Sequence, residues 1–154
     1  MTRAIENDRF LLCRIGTRVG ALALRDIQET LRPLPVEPLA GAPPFVLGIT
    51  ILRGSPTPVI DVERLLGSTT STIGRFVALR LGARSVALAV GAVLDVRSLP
   101  LQTLTQVPKL LGEASATFVS ALGSLDAELL MVLEASHVVP ETVWASIDAQ
   151  RLSA

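Results

Sequence analysis

Phe10-Leu11-Leu12-Cys13-Arg14-Ile15-Gly16-Thr17-Arg18 and Phe76-Val77-Ala78-Leu79-Arg80-Leu81-Gly82-Ala83-Arg84 align without a gap when the chain is slid 66 positions along itself, Phe10 onto Phe76. The Phe, both Arg and the Gly coincide, and the positions between them stay apolar or small. Leu11, Cys13 and Ile15 share one side of a strand, Val77, Leu79 and Leu81 another, and Val86, Leu88 and Val90 a third, each with the strand period of two. Gly16-Thr17-Arg18 and Gly82-Ala83-Arg84 supply turn residues between successive apolar runs, so each run and its successor predict a hairpin. The register continues past the hairpins: Ala21-Leu22-Ala23-Leu24 falls on Ala87-Leu88-Ala89-Val90, Ile27 on Val93, and Glu29 on Asp95. A repeat of this kind marks a duplicated unit.

Further on the match weakens, but Val59-Ile60-Asp61-Val62 and Met131-Val132-Leu133-Glu134 both read as buried strands near the end of their half. Two copies of one unit predict an all-β fold of two small curled antiparallel sheets or barrels, related by a pseudo-twofold, sharing one core and leaving a groove between them. Leu34 to Pro44 reads as an irregular connection, and the Ser/Thr-rich Ser68 to Gly74 as an exposed loop joining the halves. Asp61-Val-Glu-Arg-Leu-Leu-Gly predicts a short helix capped by Asp61 and ended by Gly67. A second helix is predicted from Glu141 to about Leu152, with Pro140 at its start and Val143, Trp144, Ile147 and Leu152 as its apolar stripe.

The composition narrows the function. A chain of 154 residues is long enough to bury roughly 70% of its unfolded surface without disulfides. Fourteen Lys and Arg balance fourteen Asp and Glu, so the basic field of a nucleic-acid binder is absent. Base-stacking platforms are scarce too, with no Tyr and one Trp, which also argues against nucleic acid. Cys13 is the single cysteine, which fits a reducing compartment. The polar N-terminus lacks the apolar core of a signal peptide and no apolar run approaches a membrane span, so a soluble cytoplasmic protein without direct membrane insertion is expected. There is no Gly-x-Ser-x-Gly elbow and no phosphate-cradling Gly-Lys-Ser/Thr loop, and one Cys and one His offer no nucleophile pairing or metal set. No enzyme, catalytic residue, cofactor or metal is expected. His137 reads as a surface or helix-cap residue.

Pro44-Phe45-Val46-Leu47-Gly48-Ile49-Thr50-Ile51-Leu52-Arg53-Gly54, followed by Pro58-Val59-Ile60-Asp61-Val62, resembles the signature segment of the CheW family. That pattern is a hydrophobic-Gly-hydrophobic strand, Asn-Leu-Arg-Gly, then a Pro-hydrophobic-hydrophobic-Asp strand leading into a short helix. Asp26-Ile27-Gln28-Glu29, Ala87 to Val96, Leu122-Gly-Ser-Leu-Asp and Leu129-Leu-Met-Val-Leu-Glu resemble other segments of the family, so the likeness spans roughly residues 9 to 139. The chain departs from the pattern at Ile51, where Asn is usual, at Ser55-Pro56-Thr57, and at Gly91, where an acidic residue is common.

The resemblance implies two intertwined five-stranded SH3-like barrels with short helices and a C-terminal helix. It gives one CheW-like domain over 9–139, with lobes of about 9–67 and 75–139 that exchange strands, and a helix over 140–154. It implies an adaptor that binds the regulatory domain of a CheA-type histidine kinase and holds the cytoplasmic tip of a chemoreceptor in the groove between lobes. Carried over residue by residue, Ile27 and Val93 would line that groove, with Glu29 and Arg53 as a polar pair at its edge. The duplication places Ile27 and Val93 in equivalence independently. A helix tip in such a groove uses a few aliphatic anchors, while the polar rim sets register, and weak contacts of this kind gain strength from repetition in an assembly. The rival reading is a β-barrel peptide-binding scaffold outside chemotaxis.

Overall fold

The computed structural model describes residues 7–106 and 118–153, so the polar N-terminal stretch lies outside it. In chain order the strands are β1 (Asn7–Ile15), β2 (Arg18–Ala23), β3 (Ile27–Leu31), β4 (Val46–Leu52), β5 (Ser55–Asp61), β6 (Arg75–Leu81), β7 (Arg84–Val90), β8 (Ala92–Pro100), β9 (Thr105–Gln106), β10 (Val119–Leu125) and β11 (Glu128–Leu133). A one-turn helix, α1 (Val62–Leu65), follows β5, and α2 (Glu141–Ser153) closes the described chain. Both repeated segments form the expected hairpins, each through a two-residue loop that begins with a glycine at positive φ: Ile15 faces Arg18 across Gly16-Thr17, and Leu81 faces Arg84 across Gly82-Ala83. A glycine there gives the loop a twist that matches the strands it joins.

The hairpins grow into two sheets, one of six strands in the order β8-β1-β2-β11-β10-β9 and one of five in the order β3-β6-β7-β5-β4. The sixth strand of the larger sheet, β9, is two residues long. The third strand of each half does not stay with its own hairpin: β3 pairs with β6, and β8 pairs with β1. The exchange is symmetric to the residue. Ile27 faces Leu79 as Val93 faces Cys13, and Leu31 faces Phe76 as Arg97 faces Phe10. Parallel pairings complete both sheets, β7 with β5 and β2 with β11, so the sheets are mixed and not purely antiparallel as the duplication alone predicts. They also fix the weaker match of the sequence. Ala87 faces Val59 and its counterpart Ala21 faces Val132, so Asp61 corresponds to Glu134, and their N–H groups donate to Phe45 O and Phe118 O at 2.7 Å each.

Period two survives in β1 and β6, but both faces are covered. Leu11, Cys13 and Ile15, with Val77 and Leu79, enter a core shared by both sheets; Phe10 and Leu12 enter a second cluster inside the six-stranded sheet, and Phe76 a third inside the five-stranded one. Central strands buried on both sides read as near-continuous apolar runs, which is how Phe10 to Cys13 reads. The connection from Leu34 to Pro44 is pinned where Glu37 exchanges backbone hydrogen bonds with Ile49 at 2.8 and 2.9 Å. Gly48 makes this approach possible, because a Cβ there would lie 1.9 Å from Glu37 O. Asp61, fully buried, caps α1 by accepting from the Arg64 N–H at 3.2 Å. Val143, Trp144 and Ile147 of α2 are buried in the shared core, as their spacing predicts; the Leu152 side chain lies outside the described residues. Among the described residues no helix is long and apolar enough to cross a membrane.

Leu88 is fully buried in the shared core, between Val77 of β6 and Ile60 of β5. Leu88→Ala is expected to cost about 2–5 kcal/mol, read as a lower urea midpoint with an unchanged slope.

Candidate functional site

Ile27 and Val93 stand one residue before the same irregularity in two exchanged strands. The step from Ile27 to Glu29 spans one residue of β6, Leu79 to Ala78, and the step from Val93 to Asp95 spans one residue of β1, Cys13 to Leu12. A bulge with two residues opposite one re-aims the side chains that follow it. Ile27 and Val93 both remain half-buried, packed against the shared core from two different sheets. Each is therefore an aliphatic side chain that is partly core and partly accessible.

Glu29 and Arg53 do meet. Arg53 donates from Nε to Glu29 Oε2 at 2.6 Å and from Nη2 to Oε1 at 2.8 Å, a two-pronged geometry that the planar guanidinium favours. Arg53 gets there through the tight turn between β4 and β5, where Leu52 faces Ser55 and the loop residues Arg53 and Gly54 have φ of 50° and 81°. A two-residue loop with both φ positive follows the strand twist, and glycine takes the second place without steric cost. Glu29 lies on one outer strand of the five-stranded sheet and Arg53 at the end of the other, so the pair laces the curled sheet edge to edge. The Arg53 guanidinium holds the Glu29 carboxyl below the usual glutamate range, and Glu29 in turn raises Arg53.

The six-stranded sheet carries the equivalent feature with the charge reversed. Its tight turn between β10 and β11 is Asp126-Ala127, with φ of 50° and 69°, so an aspartate stands where the other sheet has Arg53. Asp95, the counterpart of Glu29, pairs with Arg97 at 3.2 Å, and Arg97 reaches Asp126 at 4.0 Å. The Val96 N–H and then Arg97 hold the Asp95 carboxyl below its usual range. The 66-residue shift sets Glu29 on Asp95 but carries no signal for Arg97, whose counterpart, Leu31, is apolar. Two large apolar side chains near these features are open to solvent: Ile51, 63% exposed on outer strand β4, and Leu94, 45% exposed beside Val93. Ile51 is the residue that stands in place of the usual Asn.

Among the described residues no group of three or more His, Cys, Asp or Glu side chains converges as a metal site would need. Cys13 is fully buried and burial pushes its thiol up to about 12, so it is a core residue at neutral pH. The arrangement places two half-buried aliphatic side chains and an exposed ion pair on the exchanged strands and the β4–β5 turn.

Comparison with known proteins gives a consistent result. The family model described as CheW-like domain matches residues 9–143. The chain is similar to the chemotaxis protein CheW of Klebsiella aerogenes, 24% identical over 144 residues that cover 90% of this chain and 86% of that protein. It is similar to protein FrzA of Myxococcus xanthus, 29% identical over 117 residues covering 74% and 72%. Among solved structures, the scaffolding protein TtCheW from Thermoanaerobacter tengcongensis superposes with a TM-score of 0.74 at 19% identity, covering 85% of this chain and 91% of that one. That likeness shows the fold.

Because the folded Glu29 carboxyl lies below its unfolded value, the stabilisation it lends is complete above the ordinary glutamate range and is lost as pH falls through the lowered value. In a carboxyl-resolved NMR titration Glu29 should titrate below the ordinary range, and in Arg53→Gln it should return to that range. An unmoved titration in the variant contradicts the assignment.

Proposed function

This chain belongs to the CheW-like domain family, and from that premise we propose that it is a chemosensory coupling adaptor joining the cytoplasmic tip of a chemoreceptor to the regulatory domain of a CheA-type histidine kinase. Family members are adaptor and scaffold proteins rather than enzymes. In this reading residues 9–139 work as one domain whose lobes, 9–67 and 75–139, exchange strands, with 140–154 as an appended helix, and the protein acts in the cytoplasm, where receptor tips and kinase are found.

The observation that carries the reading is the paired placement of Ile27 and Val93. They are equivalent by duplication, half-buried on one core, and reached from two sheets. A helical hairpin laid between the lobes would take Ile27 and Val93 as its aliphatic anchors, and the Glu29–Arg53 pair would hold its register at the rim. Arg53 is 72% exposed despite its two hydrogen bonds, so a partner carboxylate can reach the guanidinium without dismantling the turn. The kinase contact belongs to a barrel surface outside the groove, so both partners can be held at once. Each contact is small and individually weak, and the strength of the complex comes from repetition.

Titration of the purified protein against a receptor-tip fragment and against the kinase regulatory domain tests this. Saturable binding of both is expected, with receptor binding lost in Ile27→Asp and Arg53→Glu variants that keep the wild-type circular dichroism and kinase binding. A folded wild type that binds neither partner contradicts the adaptor reading and favours a peptide-binding scaffold in another pathway.

A further inference from the structure

The duplication gives each barrel an equivalent outer face, and among the described residues only one of the two borders a long helix. By the registers above, Ser55, Pro56, Arg80, Ala83 and Arg84 of the five-stranded barrel correspond to Glu128, Leu129, Arg14, Thr17 and Arg18 of the six-stranded one. On the five-stranded barrel, Trp144, Ile147 and Asp148 of α2 line a cavity of about 240 Å³ together with Pro56, Ala83 and Arg84. The Arg84 guanidinium stands 4.5 Å from the centre of the Trp144 ring and 3.9 Å from the Asp148 carboxylate. Trp144 and Ile147 are themselves buried in the shared core. An aromatic ring and an acid one helical turn apart thus sandwich a single arginine.

On the six-stranded barrel the corresponding turn abuts Glu63 of the one-turn α1, whose Oε2 lies 2.9 Å from where a Cβ on Gly16 would stand. Thr17 and Arg18 border a cavity of about 390 Å³ whose far wall is Glu63, Leu66 and Gly67. Arg18 is exposed and makes no hydrogen bond or ion pair among the described residues. Leu129, in the place of half-buried Pro56, is 54% exposed and lies outside the lining of that cavity. Glu128, in the place of Ser55, is matched by Arg14 at 3.1 Å and adds little net charge. The difference has a simple origin. After β11 the chain is free to run into thirteen residues of helix, whereas after β5 it makes one turn of helix, breaks at Gly67 with φ of 101° and crosses to begin β6.

We propose that the face formed by Thr17, Arg18 and Leu129 is a docking seat for an amphipathic helix of a partner protein, one that presents an aromatic side chain and, one turn later, an acidic one. The aromatic ring covers Arg18 and Leu129, and the acid pairs with the Arg18 guanidinium, as Trp144 and Asp148 do with Arg84. The chain's own helix supplies the template for that partner's chemistry. This seat is separate from the Ile27 and Val93 groove and does not rest on the receptor reading.

The probe is a synthetic peptide of residues 140–153, titrated into the isotope-labelled full chain and followed by NMR. Saturable shifts at Gly16, Thr17, Arg18 and Leu129 are expected, weakened about fivefold or more by Arg18→Glu and equally by Leu129→Asp, and lost when the peptide carries Trp144→Ala. Two substitutions at separate strands guard against one that disturbs folding. Shifts confined to Ala83 and Arg84, absence of saturable shifts at Thr17 and Arg18, or binding indifferent to both substitutions in folded protein would overturn the proposal. Self-association of the free chain that Arg18→Glu abolishes would overturn the choice of a foreign helix and give the seat to a second copy.

Discussion

The exchange of β3 and β8 between the sheets is the constraint on which the other features depend. Each hairpin takes its outer neighbour from the other half of the chain, so neither sheet can close on the residues of one repeat alone. The exchange brings Leu11, Cys13 and Ile15 from one sheet against Val77, Leu79, Val86 and Leu88 from the other in one buried cluster. Burial of this apolar surface is the main stabilising term, at roughly 25 cal/mol per Å². The same exchange carries Ile27 and Val93 to the margins of that cluster. A half-buried aliphatic side chain on each of two sheets follows from the topology itself, with no special loop required.

The polar features follow from closure of each sheet. A curled sheet brings its outer strands close, and in both copies the turn between two later strands reaches back to the exchanged strand, Arg53 to Glu29 and Asp126 to Arg97. Geometry is conserved between the copies while charge is reversed at the turn. The reversal distinguishes two surfaces that duplication made alike, and a partner that seeks a cation at this turn finds it on one barrel only. Helix α2 adds a second distinction by bordering one outer face, whereas the counterpart face meets the one-turn α1.

Much of this was legible in the sequence. The gapless match of Phe10 to Arg18 with Phe76 to Arg84 gave the hairpins and the equivalence of Ile27 with Val93, because local turn chemistry and period two specify them. The pairing partners of β3 and β8 were not legible from periodicity, since a strand's own pattern does not say which distant strand it joins. Burial on both faces of β1 was hidden for a related reason: alternation assigns faces, and here Phe10 and Leu12 serve one cluster while Leu11 and Cys13 serve another. The Glu29–Arg53 pair was reached through resemblance; its edge-to-edge lacing required the curl of the sheet. Arg97 and the seat at Arg18 and Leu129 became visible only once the two copies could be laid on each other in three dimensions.

The central claim is that the two barrels are one cooperative body held by exchanged strands and a shared core. Native-state hydrogen exchange across a urea series tests it most directly, through the amides of β3 and β8 compared with those of β1 and β6. The account predicts that all four strands open together in one global event of a single free energy. Opening of one sheet in a sub-global event while the other stays protected would contradict it.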